Sequence, residues 1–162
     1  MLRWTLRLFF VLFFPILSWA NSFTNNAPDC YSRNQIIPID NEQVLDWKYH
    51  SKDQYKNRGN VLGVLTLMYR ERSGHYHFQV TIGDNPQDTI EVIYNKNFGE
   101  IPREFFQLGA LVQACGDYIT SNKRTKRYQP SPDGALIHWV HRSNNDRHEH
   151  GFVVINDQLF GY

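Results

Sequence analysis

Four of the chain's seven histidines, His138, His141, His148 and His150, fall within thirteen residues of one another, with Trp139, Arg142, Arg147 and Glu149 interleaved. Imidazole is the side chain best suited to proton transfer near neutral pH, and it is a common ligand for zinc and copper. His75 and His77 form a second, smaller group. One candidate constellation is a transition-metal site, for zinc or copper, made of His75 with His138 or His141, plus His148. The spacing limits it. In a straight strand His138 and His141 point to opposite faces, so they meet only across a bulge or at the strand's end. No H-E-x-x-H helix or cysteine-rich zinc pattern is present.

The second chemistry is anion recognition. Arg142, Arg147 and the histidines offer donors beside the flat rings of Trp139 and Tyr76. Upstream, residues 121–128 read SNKRTKRY, so that Lys123, Arg124, Lys126, Arg127 and Tyr128 make a compact basic loop suited to a phosphate backbone. The third chemistry is hydrolysis, with a histidine as general base or acid and Arg147 as a clamp in a phosphodiesterase or nuclease. It needs a carboxylate to orient the histidine, and neither Asp117, Asp146 nor Glu149 sits at an obvious spacing. No nucleophile elbow or P-loop accompanies it. Against all three stands a structural use, in which ring N–H groups bond carbonyls and Trp139 fills the end of a core.

These side chains need a scaffold, and its pattern is mainly β. In residues 75–82, Tyr76, Phe78, Val80 and Ile82 alternate with His75, His77, Gln79 and Thr81. Further strands are expected over residues 60–72, 88–94, 109–120 and 135–141, with a closing hairpin over 151–155 and 158–162. A helix over 41–50 begins after Asp40, and Pro102 opens a short helix or turn. Within residues 110–119, Ala110, Val112, Ala114 and Tyr118 form a core face, and Cys115 lies opposite with Gln113 and Asp117. Three strands, a short helix and two more strands follow the order of an OB-fold, a small five- or six-stranded barrel whose loops and one sheet face bind oligonucleotides or oligosaccharides. A β-sandwich is the alternative.

Several segments carry a shared pattern: Ser51, Gln54, Gly59 and Val61; His75 and Phe78; Asn95 and Pro102-Arg103; Gly109, Val112, Gly116, Asp117 and Tyr118; then Ile137-His138-Trp139-x-His141, Arg147-His148 and Gly151-Phe152. Over residues 44–156 these resemble the bacterial domain of unknown function 3465 family. The resemblance implies a small OB-like barrel, with His75, Asn95, His138, His141, Arg147 and His148 as pattern positions and His77 and His150 as additions. It implies no activity. Ser143 and Asn144 replace that family's Asp-Pro, Tyr94 its His before Asn, and Cys115 an aromatic.

The address is export. Arg3 and Arg7 precede an apolar run over residues 8–19, and Ser18 and Ala20 supply small residues for cleavage. That run is shorter than the ~20 residues of a membrane span. Residues 1–20 are therefore expected to be a signal peptide, 21–40 an extended N-terminal arm and 41–162 a single domain, with no span in the mature chain and a periplasmic or secreted destination. Loss of Arg3 and Arg7 shifts the formal charge from +1 to −1, so steering of a partner must come from local clusters. Cys30 and Cys115, an even count in an exported chain, are expected to form a disulfide.

The expected function is an exported OB-like module that binds an anionic ligand, nucleic acid or another anionic polymer, without catalysis. His75 is expected to face Ile137 to Gly151 across the site, and the basic loop to stand at its mouth. A histidine-dependent phosphodiesterase and a protein-interaction domain are the alternatives.

Overall fold

A computed structural model describes residues 27–145 and 148–162. The expected signal peptide and Arg147 lie outside the described residues. In chain order the elements are β1 (Tyr31–Ser32), β2 (Gln35–Ile36), α1 (Asn41–His50), β3 (Lys56–Met68), β4 (His75–Thr81), β5 (Thr89–Asn95), β6 (Leu111–Thr120), β7 (Ala135–His138), β8 (Phe152–Ile155) and β9 (Gln158–Phe160). Two isolated 3₁₀ turns, Lys96–Phe98 and Arg103–Phe105, stand where one short helix was expected between the third and fourth barrel strands. Gly99 and the extended backbone at Pro102 interrupt this stretch before an α-helix can propagate.

The barrel closes because β3 is long enough to belong to both of its edges. Its first nine residues pair with β6, and Val64 to Met68 pair with β4. Gly63 sits at the changeover. A Cβ there would lie 2.1 Å from the Thr81 carbonyl oxygen, so the strand crosses its neighbour closely only because glycine occupies the position. The order β3-β4-β5-β7-β6 returns to β3, with β5 and β7 parallel and the other neighbours antiparallel. This is a closed five-stranded, OB-like β-barrel.

The predicted alternation holds. Phe78, Val80, Val92, Val112, Ala114, Tyr118 and Ile137 are fully buried in one core. Helix α1 closes one end. Asp40 caps it by accepting from the Gln43 amide, and the Asn41 side chain bonds the carbonyls of Leu62 and Ile82. Trp47 then packs 5.3 Å from the Tyr118 ring. At the opposite end of β6, Phe106 packs against Tyr76 and Phe78, and Phe105 against Phe160.

The arm is less extended than its composition suggested. Arg33 and Asn34 both take positive φ, 50° and 63°, and fold β1 onto β2. The Cys30–Cys115 disulfide pins this hairpin to the outer face of β6. Around it Phe152 and Val154, with Ala27, Ile37 and Leu159, form a second apolar cluster outside the barrel. Among the described residues no helix is long and apolar enough to cross a membrane.

Candidate binding cleft and basic loop

The backbone after β7 decides where the histidines point. Trp139 has φ 59°, in the left-handed region that non-glycine residues rarely enter. Two distant glycines admit the conformation. A Cβ on Gly116 would lie 2.4 Å from the His138 carbonyl oxygen, and one on Gly151 would lie 2.0 Å from that of Trp139. The Gly151 amide then donates to the His141 carbonyl at 2.8 Å. The reversal ends strand alternation at His138, so His138 and His141 both line one cleft. Gly151→Ala is accordingly expected to destabilise the fold by ~2–4 kcal/mol, because backbone rather than a side-chain tip must move. Urea unfolding checks it.

That cleft, about 390 Å³, is lined by His75, Asn95, Asn97, Phe98, His138, Trp139, His141 and Asn144. His75 enters from the start of β4, opposite Asn95 in the β4–β5 register, and its ring lies 5.8 Å from that of His138. His75 and His138, from the first and last residues of two different strands, thus line the same cleft. His75 Nδ1 faces the Ser73 carbonyl at 2.8 Å, and His141 Nδ1 faces the Arg142 carbonyl at 2.9 Å. In the neutral ring each bond places the proton on Nδ1 and leaves Nε2 as an acceptor. Burial, then the neighbouring His75 and His141, pushes the His138 imidazole down to about 4. Burial also lowers His141. At neutral pH both rings are uncharged. Asn95 Oδ1 accepts from the Asn97 amide, and its own amide nitrogen has no partner among the described residues.

The other histidines are committed elsewhere. His148 Nε2 bonds Asp117 Oδ2 at 2.8 Å, its Nδ1 faces the Glu149 carbonyl at 2.9 Å, and Arg58 Nη1 holds the other Asp117 oxygen at 2.9 Å. Asp117 thus supplies the orienting carboxylate for which the sequence showed no obvious spacing. The β6–β7 register, Asp117 opposite His138, brings it there. The rings also stack in series: Phe98 on His141 at 3.5 Å, His141 against Trp139 at 4.9 Å, and Trp139 against His148 at 4.2 Å. His77 pairs with Glu91 at 2.7 Å, and His150 Nδ1 accepts from the Ser143 amide. Among the described residues no group of three or more His, Cys, Asp or Glu is placed to hold a metal ion. Arg58 was missed in the sequence because nothing local marks it. It is buried, bridging Asp117 and the carbonyls of Tyr31 and His150.

The outer face of β4 and β5, where OB-like barrels commonly carry ligands, is covered by the chain's own loops. Tyr69 and Gln79 bond Asp133 at 2.9 and 2.6 Å, Thr89 bonds it at 2.7 Å, and Arg72 reaches Glu91 at 3.6 Å.

The basic loop lies elsewhere than expected. It enters β7 at Ala135, paired with Thr120, whereas the cleft begins at the far end of the strand at His138. Three residues of strand, ~10 Å, separate them. The loop therefore does not form the mouth of the histidine cleft, and none of its residues lines it. Thr125 Oγ1 accepts from the Arg127 and Tyr128 amides, and Asp53 from those of Asn122 and Lys123. Lys123, Arg124, Lys126 and Arg127 are exposed, none is paired with a carboxylate among the described residues, and Tyr128 is 71 % exposed. No protein-family model matches this chain, and no curated protein matches it.

Proposed function

We propose that this protein is an exported, non-catalytic OB-like module that binds an anionic polymer, with single-stranded nucleic acid as the favoured ligand, and that it belongs to the family it resembles. The observation that carries the reading is the loop between β6 and β7: four exposed cations without carboxylate partners among the described residues, beside an exposed tyrosine. Backbone phosphates release counterions on such a surface, and a base can stack on Tyr128. The disulfide is compatible with an oxidising compartment.

The test is fluorescence anisotropy of a labelled oligothymidylate across a salt series. Affinity is expected to fall with salt. Lys126→Gln with Arg127→Gln should reduce the logarithmic slope by about 1.4, at ~0.7 per single-strand phosphate contact. No binding at low salt, or an unchanged slope, would overturn the reading.

One observation favours a second reading, a histidine-dependent phosphodiesterase: the Arg58–Asp117–His148 relay beside the neutral His138. It predicts hydrolysis of bis(p-nitrophenyl) phosphate that is abolished by Asp117→Asn while the fold is kept. The bond of His77 Nδ1 to Glu91 supports a structural use of that residue.

A further inference from the structure

We propose that the cleft at the end of β7 takes one unstacked nucleobase of the bound strand and reads it by its edge. This rests on the nucleic-acid reading above and adds to it a second, chemically different contact.

Among the described residues the cleft lining contains no carboxylate, lysine or arginine. It is therefore a poor phosphate site and a good one for an uncharged ring. Its polar atoms alternate in kind. His75 and His141 present Nε2 acceptors, because their Nδ1 positions face backbone carbonyls. The Asn95 amide nitrogen, its Oδ1 spent on the Asn97 amide, presents a donor, Asn144 lines the same cleft, and the His138 side chain has no hydrogen-bond partner among the described residues. Acceptors and a donor left free in one cleft favour a ligand that carries both kinds of group on one rim. Nucleobase edges have that character, and single-stranded bases expose them.

The ring contacts exclude the commoner mode. Trp139 is already flanked by His148 and His141, and His141 by Phe98. With these rings packed against one another, recognition falls to edges rather than to an aromatic platform. The left-handed Trp139, held by Gly116 and Gly151, keeps the edge-reading atoms in place before the ligand arrives. A volume of about 390 Å³ accommodates a base with its sugar.

Isothermal titration with adenosine, guanosine, cytidine and thymidine tests this, because nucleosides lack the phosphate that the basic loop needs. One of them is expected to bind at one site per chain, with an affinity unaffected by salt and by Lys126→Gln/Arg127→Gln. Asn95→Ala and Asn144→Ala, at positions outside the core, should each weaken it about tenfold, the loss of a hydrogen bond worth ~1.4 kcal/mol. If no nucleoside binds while labelled oligothymidylate still does, the base-reading cleft is overturned and the strand reading stands. If neither binds, both fall. Binding of glucose in place of every nucleoside also overturns it, as does nucleoside binding that the two alanine variants leave intact.

Discussion

Reducing the Cys30–Cys115 disulfide, or replacing both cysteines with alanine, is expected to cost about 4 kcal/mol and to lower Tm by about 10–15 °C. The bond joins residues 85 apart, so its loss restores a long loop's worth of freedom to the unfolded chain. The folded state loses as well. Cys30 and Ile37 lie against Phe152 and Val154, and that outer cluster depends on the arm staying down. The arm also braces the histidine segment. The Asn34 amide donates to Glu149 at 3.0 Å, and Arg58 links the Tyr31 carbonyl to Asp117 and to the His150 carbonyl. Hydrogen exchange of the reduced protein should therefore rise across residues 148–150 as well as across the arm, while β4 and β5 stay protected. A Tm within 3 °C of the oxidised protein's would contradict this account, with the approximate conversion from stability taken as above.

How much of this was legible in the sequence depends on whether the cause was local. Alternation in residues 75–82 and 110–119 reports burial on one face directly, so the strands, their core residues and the outward Cys115 followed from it. The helix over Asn41–His50 announced itself through Asp40. The cleft did not. Its shape depends on a left-handed Trp139, admitted by Gly116 and Gly151, and neither glycine advertises which carbonyl it will meet. Asp117 was correctly placed on the outer face, but its partnership with His148 needs the β6–β7 register, a non-local fact. The position of the basic loop was within reach. A loop that enters β7 at its first residue lies at the other end of the strand from the histidine at its last. The arrangement of the covering loops over β4 and β5 was not, since it arises from Asp133 meeting Tyr69 and Gln79 across the fold.

Acid should destabilise the protein through His138, and the sign follows from its environment. The folded ring titrates at about 4, against 6.5 for an unperturbed histidine, mainly because burial penalises the imidazolium. Above pH 6.5 neither state binds the proton and His138 contributes nothing to the pH dependence. As pH falls from 6.5 towards 4, the unfolded chain takes up a proton that the folded chain refuses, so stability drops throughout that window. The loss amounts to about 2–3 kcal/mol once the ring's remaining solvent contact is discounted. His141 acts in the same direction, since burial lowers it too. His138→Gln keeps a polar side chain of similar reach and cannot titrate. Urea unfolding of both proteins at pH 7.5, 5.5 and 4 should give curves that converge in acid, the wild type losing stability faster than the variant. Parallel curves would mean that His138 is protonated in the folded state. The cleft would then carry positive charge at mildly acidic pH, and its uncharged character, on which base recognition depends, would be lost.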